Sequence, residues 1–360
     1  MDPHVAALAA TMAGMTRGRA FAALPALVLT LTLSVLVSAC TSAVGSDRGP
    51  TRTSATAPTT APTSGTLGPL DLSLLAVGSS DHALEVGGRI RMYRAYRPAT
   101  VRQPVSVVVM LHGGFGSARE AERAYGWNAL ADREGFVVVY PDAVGSTWNV
   151  GGDCCGIAAS SGIDDVGFVE RVLSDLATVV TYDRSRVYAV GFSTGGMMAY
   201  RLACDTTSFA AVGVVAGTLL GDCLNPAPVS VMHVHGTADT TIPFLGVGGM
   251  GVAEITGTPI PDIVTTWRNV DRCGGIVSRS QGAVTINAAS CAAGRAVSLV
   301  TVDNGGHWWP GVIHSGPMDA SPAPEIATPR PTSSALPTVG TPAPFDTTKA
   351  LWDFLSAHVR

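Results

Sequence analysis

The stretch Val190-Gly191-Phe192-Ser193-Thr194-Gly195-Gly196 constrains this chain more than any other. A serine stands between two glycines, directly after the apolar run Arg186 to Val190 and ahead of a helical run, Met197 to Ala203. A strand that turns at once into a helix holds the residue at its tip in a strained backbone conformation. Side chains flanking that tip would collide with the neighbouring strand and helix. The G-x-S-x-G spacing therefore predicts a sharp strand-to-helix elbow with the Ser193 hydroxyl at its tip. A chain with 41 glycines can produce so short a pattern by chance. Context decides the matter, because two partner motifs follow downstream.

His235-Gly236-Thr237-Ala238-Asp239 comes after the apolar strand Val229 to Val234, and Gly305-Gly306-His307-Trp308-Trp309-Pro310-Gly311 comes after Ala296 to Val302. The order Ser193, Asp239, His307 is that of an α/β-hydrolase, not of chymotrypsin-like or subtilisin-like enzymes. The expected fold class is α/β: a mostly parallel central sheet flanked by helices on both faces. Val105 to Leu111 and Phe136 to Tyr140 are short continuous apolar runs, as buried parallel strands are. Arg89 to Tyr96 alternates as an early antiparallel strand, and helical patterns cover Ser117 to Arg133 and Asp164 to Val180.

In an acyl-transfer reading Ser193 is the nucleophile, His307 the base, and Asp239 the acid that holds the imidazole tautomer. Asp303 is a rival acid, but it lies too near His307 in sequence to occupy a separate strand end. The oxyanion hole combines the Thr194 amide with one from Leu111-His112-Gly113-Gly114-Phe115-Gly116, where both Gly114 and Phe115 stay open as the second donor. Such chemistry needs no cofactor. His233 and His235 alternate on one strand face, and with no third ligand motif they read as a packed strand, not a metal pair.

Arg17 and Arg19 precede an apolar run from Phe21 to Val37 that ends in Leu36-Val37-Ser38-Ala39-Cys40. This reads as a signal peptide over residues 1–39, followed by a cysteine placed as in the lipobox of bacterial lipoproteins. An uncleaved anchor is the rival reading, although the run is short for the roughly 20 apolar residues that a span needs. Residues 40–68 then form a Thr/Pro/Ala tether behind the lipidated Cys40, and 315–344 a Pro-rich disordered insertion. The catalytic domain covers 83–313 plus 345–360, closing with an apolar helical face at Phe345, Leu351, Trp352 and Leu355. Hydrophobic content of 46% fits a sizeable core, and a net charge of -4 gives no reason to expect nucleic acid. The remaining cysteines, Cys154, Cys155, Cys204, Cys223, Cys273 and Cys291, suggest up to three disulfides in an exported chain. Proximity favours Cys204 with Cys223 and Cys273 with Cys291. Metal binding finds no C-x-x-C pair to support it.

These motifs together resemble the polyhydroxybutyrate depolymerase and feruloyl esterase family, carbohydrate esterase family 1 in the broad sense, including lipoprotein members. The resemblance is carried by Leu111-His112-Gly113-Gly114, Trp148-Asn149 with Cys154-Cys155-Gly156, Asp164-Asp165-Val166-Gly167-Phe168, the elbow through Met198, the Asp239 and His307 motifs, and Trp267 before Cys273-Gly274. It implies the same triad, and it implies that Trp148, Asn149 and Trp309 lie near the acyl pocket. It also implies a small-molecule or polysaccharide-linked ester substrate, with short feruloyl-like or 3-hydroxyacyl esters favoured over solid polyester. Together with the signal peptide and Cys40, it describes an extracytoplasmic enzyme, lipid-anchored at the cell membrane or secreted. Two other readings compete: a prolyl-oligopeptidase-type serine peptidase, which usually carries a propeller for which this chain has no room, and a non-catalytic cell-wall binder, which has no need of three catalytic groups.

Overall fold

A computed structural model describes residues 75–251, 254–311 and 345–360. The expected signal peptide, the Cys40 tether and the 315–344 insertion lie outside the described residues. In chain order the elements are β1 (Gly78–Val86), β2 (Arg89–Arg97), β3 (Val105–Leu111), α1 (Ala118–Ala124), α2 (Trp127–Glu134), β4 (Val137–Pro141), α3 (Gly156–Ser160), α4 (Asp165–Val179) and β5 (Tyr182–Phe192). There follow α5 (Thr194–Asp205), β6 (Ala211–Val215), β7 (Ser230–Gly236), α6 (Ile260–Val270), β8 (Ile276–Gln281), β9 (Val284–Ser290), β10 (Ala296–Val302) and α7 (Thr347–Ser356).

All ten strands join one sheet in the order β1-β2-β4-β3-β5-β6-β7-β10-β9-β8. The six central strands from β4 to β10 run parallel, and antiparallel strands close both edges. Sequence and packing meet here. Every residue of β3, β6 and β7 is buried, because helices cover both faces and neither face tolerates a polar alternation. On one face Val107, Val109 and Leu111 of β3 pack with Phe168, Val172 and Leu176 of α4 and with Ile263 and Trp267 of α6. On the other, Val108 and Met110 pack with Trp127 and Leu130 of α2 and with Leu351, Trp352 and Leu355 of α7. This is the α/β-hydrolase architecture.

Several local features differ from the sequence reading. The helical pattern from Ser117 to Arg133 is two helices, broken where Gly126 takes a left-handed φ of 73°. The first strand begins at Gly78, ahead of the expected domain start at 83, and Leu75 is already buried, its amide bonded to the Val179 carbonyl. Strands β8 and β9 form an edge hairpin that the sequence does not announce, since β8 is exposed throughout and carries no periodic signal. The disulfides are Cys204–Cys223, Cys273–Cys291 and the adjacent pair Cys154–Cys155.

Candidate active site

Ser193 sits between β5 and α5 with φ of 54°, a left-handed conformation that costs a non-glycine residue on the order of 1 kcal/mol or more. The neighbours hold it there. Its amide donates to the Val215 carbonyl of the adjacent strand at 2.9 Å, and its carbonyl accepts the Met197 amide at 3.0 Å. A Cβ at Gly191 would collide with the Gly195 carbonyl, and one at Gly195 with the Leu111 carbonyl, so this crossing of β5, β3 and α5 admits only glycine at both positions.

The other two predicted residues arrive from neighbouring strands. Strands β7 and β10 pair in parallel with Gly236 opposite Val302, so the loops that leave them start level with one another. Backbone bonds stitch these loops together: Thr237 N–H to Val302 O at 3.0 Å and Ala238 N–H to Gly305 O at 2.8 Å. As a result His307 Nδ1–H donates to Asp239 Oδ2 at 2.8 Å, and the Ser193 hydroxyl faces His307 Nε2 at 2.9 Å. Asp239 is 4% exposed, and its Oδ1 accepts the amides of Thr241 (2.9 Å) and Ile242 (2.8 Å), which fixes the carboxylate plane. The rival Asp303 is exposed and bonds to Thr237 and Asn304 instead.

For the oxyanion, Thr194 opens α5, so its amide lies at the positive end of the helix dipole. The Gly113-Gly114 turn packs directly on the elbow: a Cβ at Gly113 would lie 3.5 Å from Ser193 Cβ, and one at Gly114 3.6 Å from the Thr194 side chain. Among the described residues nothing accepts the amides of Gly114 or Thr194. Phe115 is different. Its amide donates to Ser146 O at 2.8 Å, which removes it as an oxyanion donor and leaves Gly114. Its ring, 75% exposed, projects into solvent beside the site.

The residues expected near the acyl pocket each have defined partners. Trp148 is fully buried, packs with its ring tilted 4.9 Å from that of His112 and donates Nε1–H to the His112 carbonyl at 2.8 Å, so it braces the loop that carries Gly114. Asn149 gives its amide to Asp165 Oδ2 at 2.8 Å and its Nδ2 to Ile163 O at 2.9 Å. Trp309 is also fully buried, donating to Thr348 Oγ1 and packing 4.5 Å from Tyr125, behind Phe192. Trp148 and Trp309 are thus held within the core, and Asn149, half-buried, is tied to α4. A residue next to a site motif in sequence need not face the site, and nothing in the pattern separates the two cases. The aromatic groups that reach solvent here include Phe115, Trp308, which is 43% exposed, and in part Phe192, whose ring lies 5.0 Å from that of His307.

Sequence reasoning also passed over the support beneath Asn149. Asp165 pairs with Arg91 at 2.7 Å, both side chains being buried, and the Arg91 guanidinium lies 3.8 Å over the Phe168 ring. Burial pushes the Asp165 carboxyl up, against the pull of the Asn149 amide and Arg91. His112 is buried with Nδ1–H on Gly113 O (2.8 Å) and Nε2 accepting the Ala143 amide (3.1 Å), so its neutral tautomer is fixed by backbone on both sides. An open cavity of about 500 Å³ lies at the far end of α5, lined by Glu170, Cys204, Asp205 and Asn225, and shares no residue with the Ser193 site.

Comparison with known proteins places the chain among esterases. Residues 91–258, which include Ser193 and Asp239, match a family model described as esterase PHB depolymerase. A protein of Nocardia uniformis subsp. tsuyamanensis named as an esterase, NocK, is 33% identical over 274 residues, covering 69% of this chain and 78% of that protein. The bifunctional acetylxylan esterase/xylanase XynS20E of Neocallimastix patriciarum is 30% identical over 47% of this chain. Feruloyl esterase B of Piromyces equi is 26% identical over 56% of it. The matches span 24% and 39% of those two longer proteins. The chain belongs to the polyhydroxybutyrate depolymerase and feruloyl-esterase-like family, and it is a serine hydrolase of the esterase type.

Proposed function

We propose that this protein is an exported, lipid-anchored esterase that cleaves soluble short acyl or aryl esters, feruloyl-like or 3-hydroxyacyl, through an acyl-enzyme on Ser193. The observation that carries the reading is the unbroken run Asp239 Oδ2, His307, Ser193 Oγ, at 2.8 and 2.9 Å. In it His307 Nε2 takes the hydroxyl proton as Ser193 attacks the ester carbonyl, then returns it to the leaving alkoxide. Asp239 keeps the imidazole in the Nδ1–H tautomer and stabilises the imidazolium. The amides of Gly114 and Thr194 receive the developing oxyanion, each donor of this kind being worth about 100- to 1,000-fold in kcat. Water then repeats the cycle on the acyl-enzyme.

Substrate class is supported by the rim. Phe115, next to Gly114, and Trp308, next to His307, are both exposed, apolar surface suited to a flat or hydrophobic acyl group. Relatives named as feruloyl and acetylxylan esterases point the same way.

The test has two arms. A fluorophosphonate probe should label Ser193, and Ser193→Ala should lose roughly ten-thousand- to million-fold in kcat with its fold intact, because triad members act as a unit. Rates on p-nitrophenyl esters of rising length, a methyl hydroxycinnamate and a polyester suspension then rank substrates, with soluble esters expected ahead. Unlabelled Ser193 sinks the nucleophile, and polyester cleared as fast as the soluble esters sinks the substrate choice.

A further inference from the structure

Behind Asp239 lies a second hydrogen-bonded run that the acyl-transfer chemistry does not use. Tyr200 of α5 meets His233 Nδ1 at 2.7 Å, His233 Nε2 meets His235 Nδ1 at 2.8 Å, and His235 Nε2 meets the Ile242 carbonyl at 2.8 Å. Both imidazoles are buried, at 0% and 1% exposure. The direction of every bond follows from the last one. A carbonyl only accepts, so His235 carries its proton on Nε2. Its Nδ1 is then a lone pair and accepts from His233 Nε2–H. His233 Nδ1 in turn accepts, and Tyr200 O–H donates.

The run ends at the turn that shapes the acid. Ile242 gives its carbonyl to His235 and its amide to Asp239 Oδ1 (2.8 Å), so one residue links the imidazole chain to the carboxylate. His235 Nε2 also lies 3.5 Å from Asp239 Oδ2, the oxygen that faces His307. Reversing the chain would aim a lone pair of His235 at the Ile242 carbonyl and at the carboxylate, both electron-rich, so the observed polarity is the one that attracts the turn.

We propose that His235, with its tautomer set by the Ile242 carbonyl and its other nitrogen engaged through His233 by Tyr200, is a positioning residue that holds the Asp239–Ile242 turn and so aims Asp239 Oδ2 at His307. This rests on Asp239 being the acid of the Ser193 site. Charged and titratable groups around His235 are Asp239, His307 and His233, with Phe244 edge-on at 5.9 Å. Burial lowers the proton affinity of both rings, and mutual repulsion lowers that of His233 further, which keeps the chain neutral and one-directional.

The experiment compares kcat, KM and the kcat/KM–pH profile of wild type with His235→Phe, His235→Gln, Tyr200→Phe, Asp239→Asn and Trp267→Phe on one p-nitrophenyl ester, with Tm for each. In His235→Phe the ring shape stays but Ile242 loses its donor. The turn loosens, the carboxylate drifts from His307, and kcat falls by on the order of 10- to 100-fold with KM little changed. Weaker stabilisation of the imidazolium moves the acid limb of the profile to lower pH. His235→Gln, whose amide can donate to the Ile242 carbonyl, should restore most of kcat and the limb. Tyr200→Phe leaves the buried Nδ1 lone pair of His233 without its donor, which loosens the far end of the run, and should shift both readouts the same way, less far. Trp267→Phe loosens the core where Trp267 stacks 6.3 Å from Tyr200, so it should lower Tm with the profile unmoved. A His235→Phe profile superimposable on wild type overturns the proposal. If that variant does not fold, wild-type kcat and profile in Tyr200→Phe overturn it instead. Full activity in Asp239→Asn would point to failure of the underlying triad assignment, a different result from loss in Asp239→Asn with His235→Phe unaffected.

Discussion

His112 and His235 each end on a backbone group that dictates where the ring proton sits, His233 takes its tautomer from His235, and all three are held below their ordinary proton affinity by burial. That has a consequence for stability. The unfolded chain takes up protons on these rings below about pH 6.5 while the folded chain refuses them, so stability falls as pH drops through that value. Asp271 works in the opposite sense: burial raises its carboxyl to about 6, so its contribution is present at low pH and lost as pH rises through about 6. His358 is lowered by burial as well and Asp165 raised, so with four rings against two carboxyls Tm should decline from about pH 7.5 to about 5.5. A level or rising Tm across that window contradicts neutral buried rings. At this scale the motifs told a good deal. Ser193, Asp239 and His307 were readable because a strained turn and two strand-end loops leave short glycine-marked patterns. Phe115 as an oxyanion donor was not excluded in advance, because its amide is taken by Ser146, which sits 31 residues on and carries no motif. Trp148 and Trp309 carried an aromatic signal without a direction.

Among the elements, α4 shows how a motif can be structural in all its parts. Asp164 caps the helix by accepting the Gly167 amide, a side chain on Gly167 would collide with that carboxylate, Asp165 pairs with Arg91 of β2, and Phe168 lies under the guanidinium. The Asp165–Asn149 bond ties this assembly to the Trp148 loop, and Trp148 in turn braces the His112 carbonyl one residue before Gly113. Asp165→Ala leaves the Arg91 charge buried without its carboxylate, a loss of about 3–5 kcal/mol. Urea unfolding should show that loss, and a value within error of wild type would mean that Arg91 finds another partner. The strands β3, β5, β7 and β10 were legible from unbroken apolar runs bounded by site motifs. The hairpin β8–β9 was not, because its residues face water and its pairing is set by the neighbour β10, not by local composition.

For the whole molecule, the parallel sheet gathers the Ser193, Asp239 and His307 loops at one end, the carboxyl ends of β5, β7 and β10, which is where such sheets place their sites. Among the described residues no helix is long and apolar enough to cross a membrane, and the proposed attachment is through Cys40. A diacylated cysteine holds a protein at the bilayer where a single chain would not. Cys40→Ser should therefore move the esterase from the membrane fraction to the medium, or stall its processing. Unaltered wild type recovered from the medium without detergent counts against the anchor.

After the histidine loop, Gly311 lies so close to the start of the final segment that any side chain there would strike the Phe345 carbonyl, and the Thr347 amide reaches the Pro310 carbonyl at 3.4 Å. The chain on either side of residues 312–344 is thus clamped as though those residues were not there. From the clamp, α7 places Thr348 between Trp309 and the Tyr125 carbonyl, and Leu351 against Gly213. Closing a loop between fixed ends costs only about 0.6 kcal/mol for each doubling of its length. Length at this point is therefore nearly free: it can grow, shrink or accept a foreign module without disturbing where His307 stands, which makes it the natural graft point of the molecule.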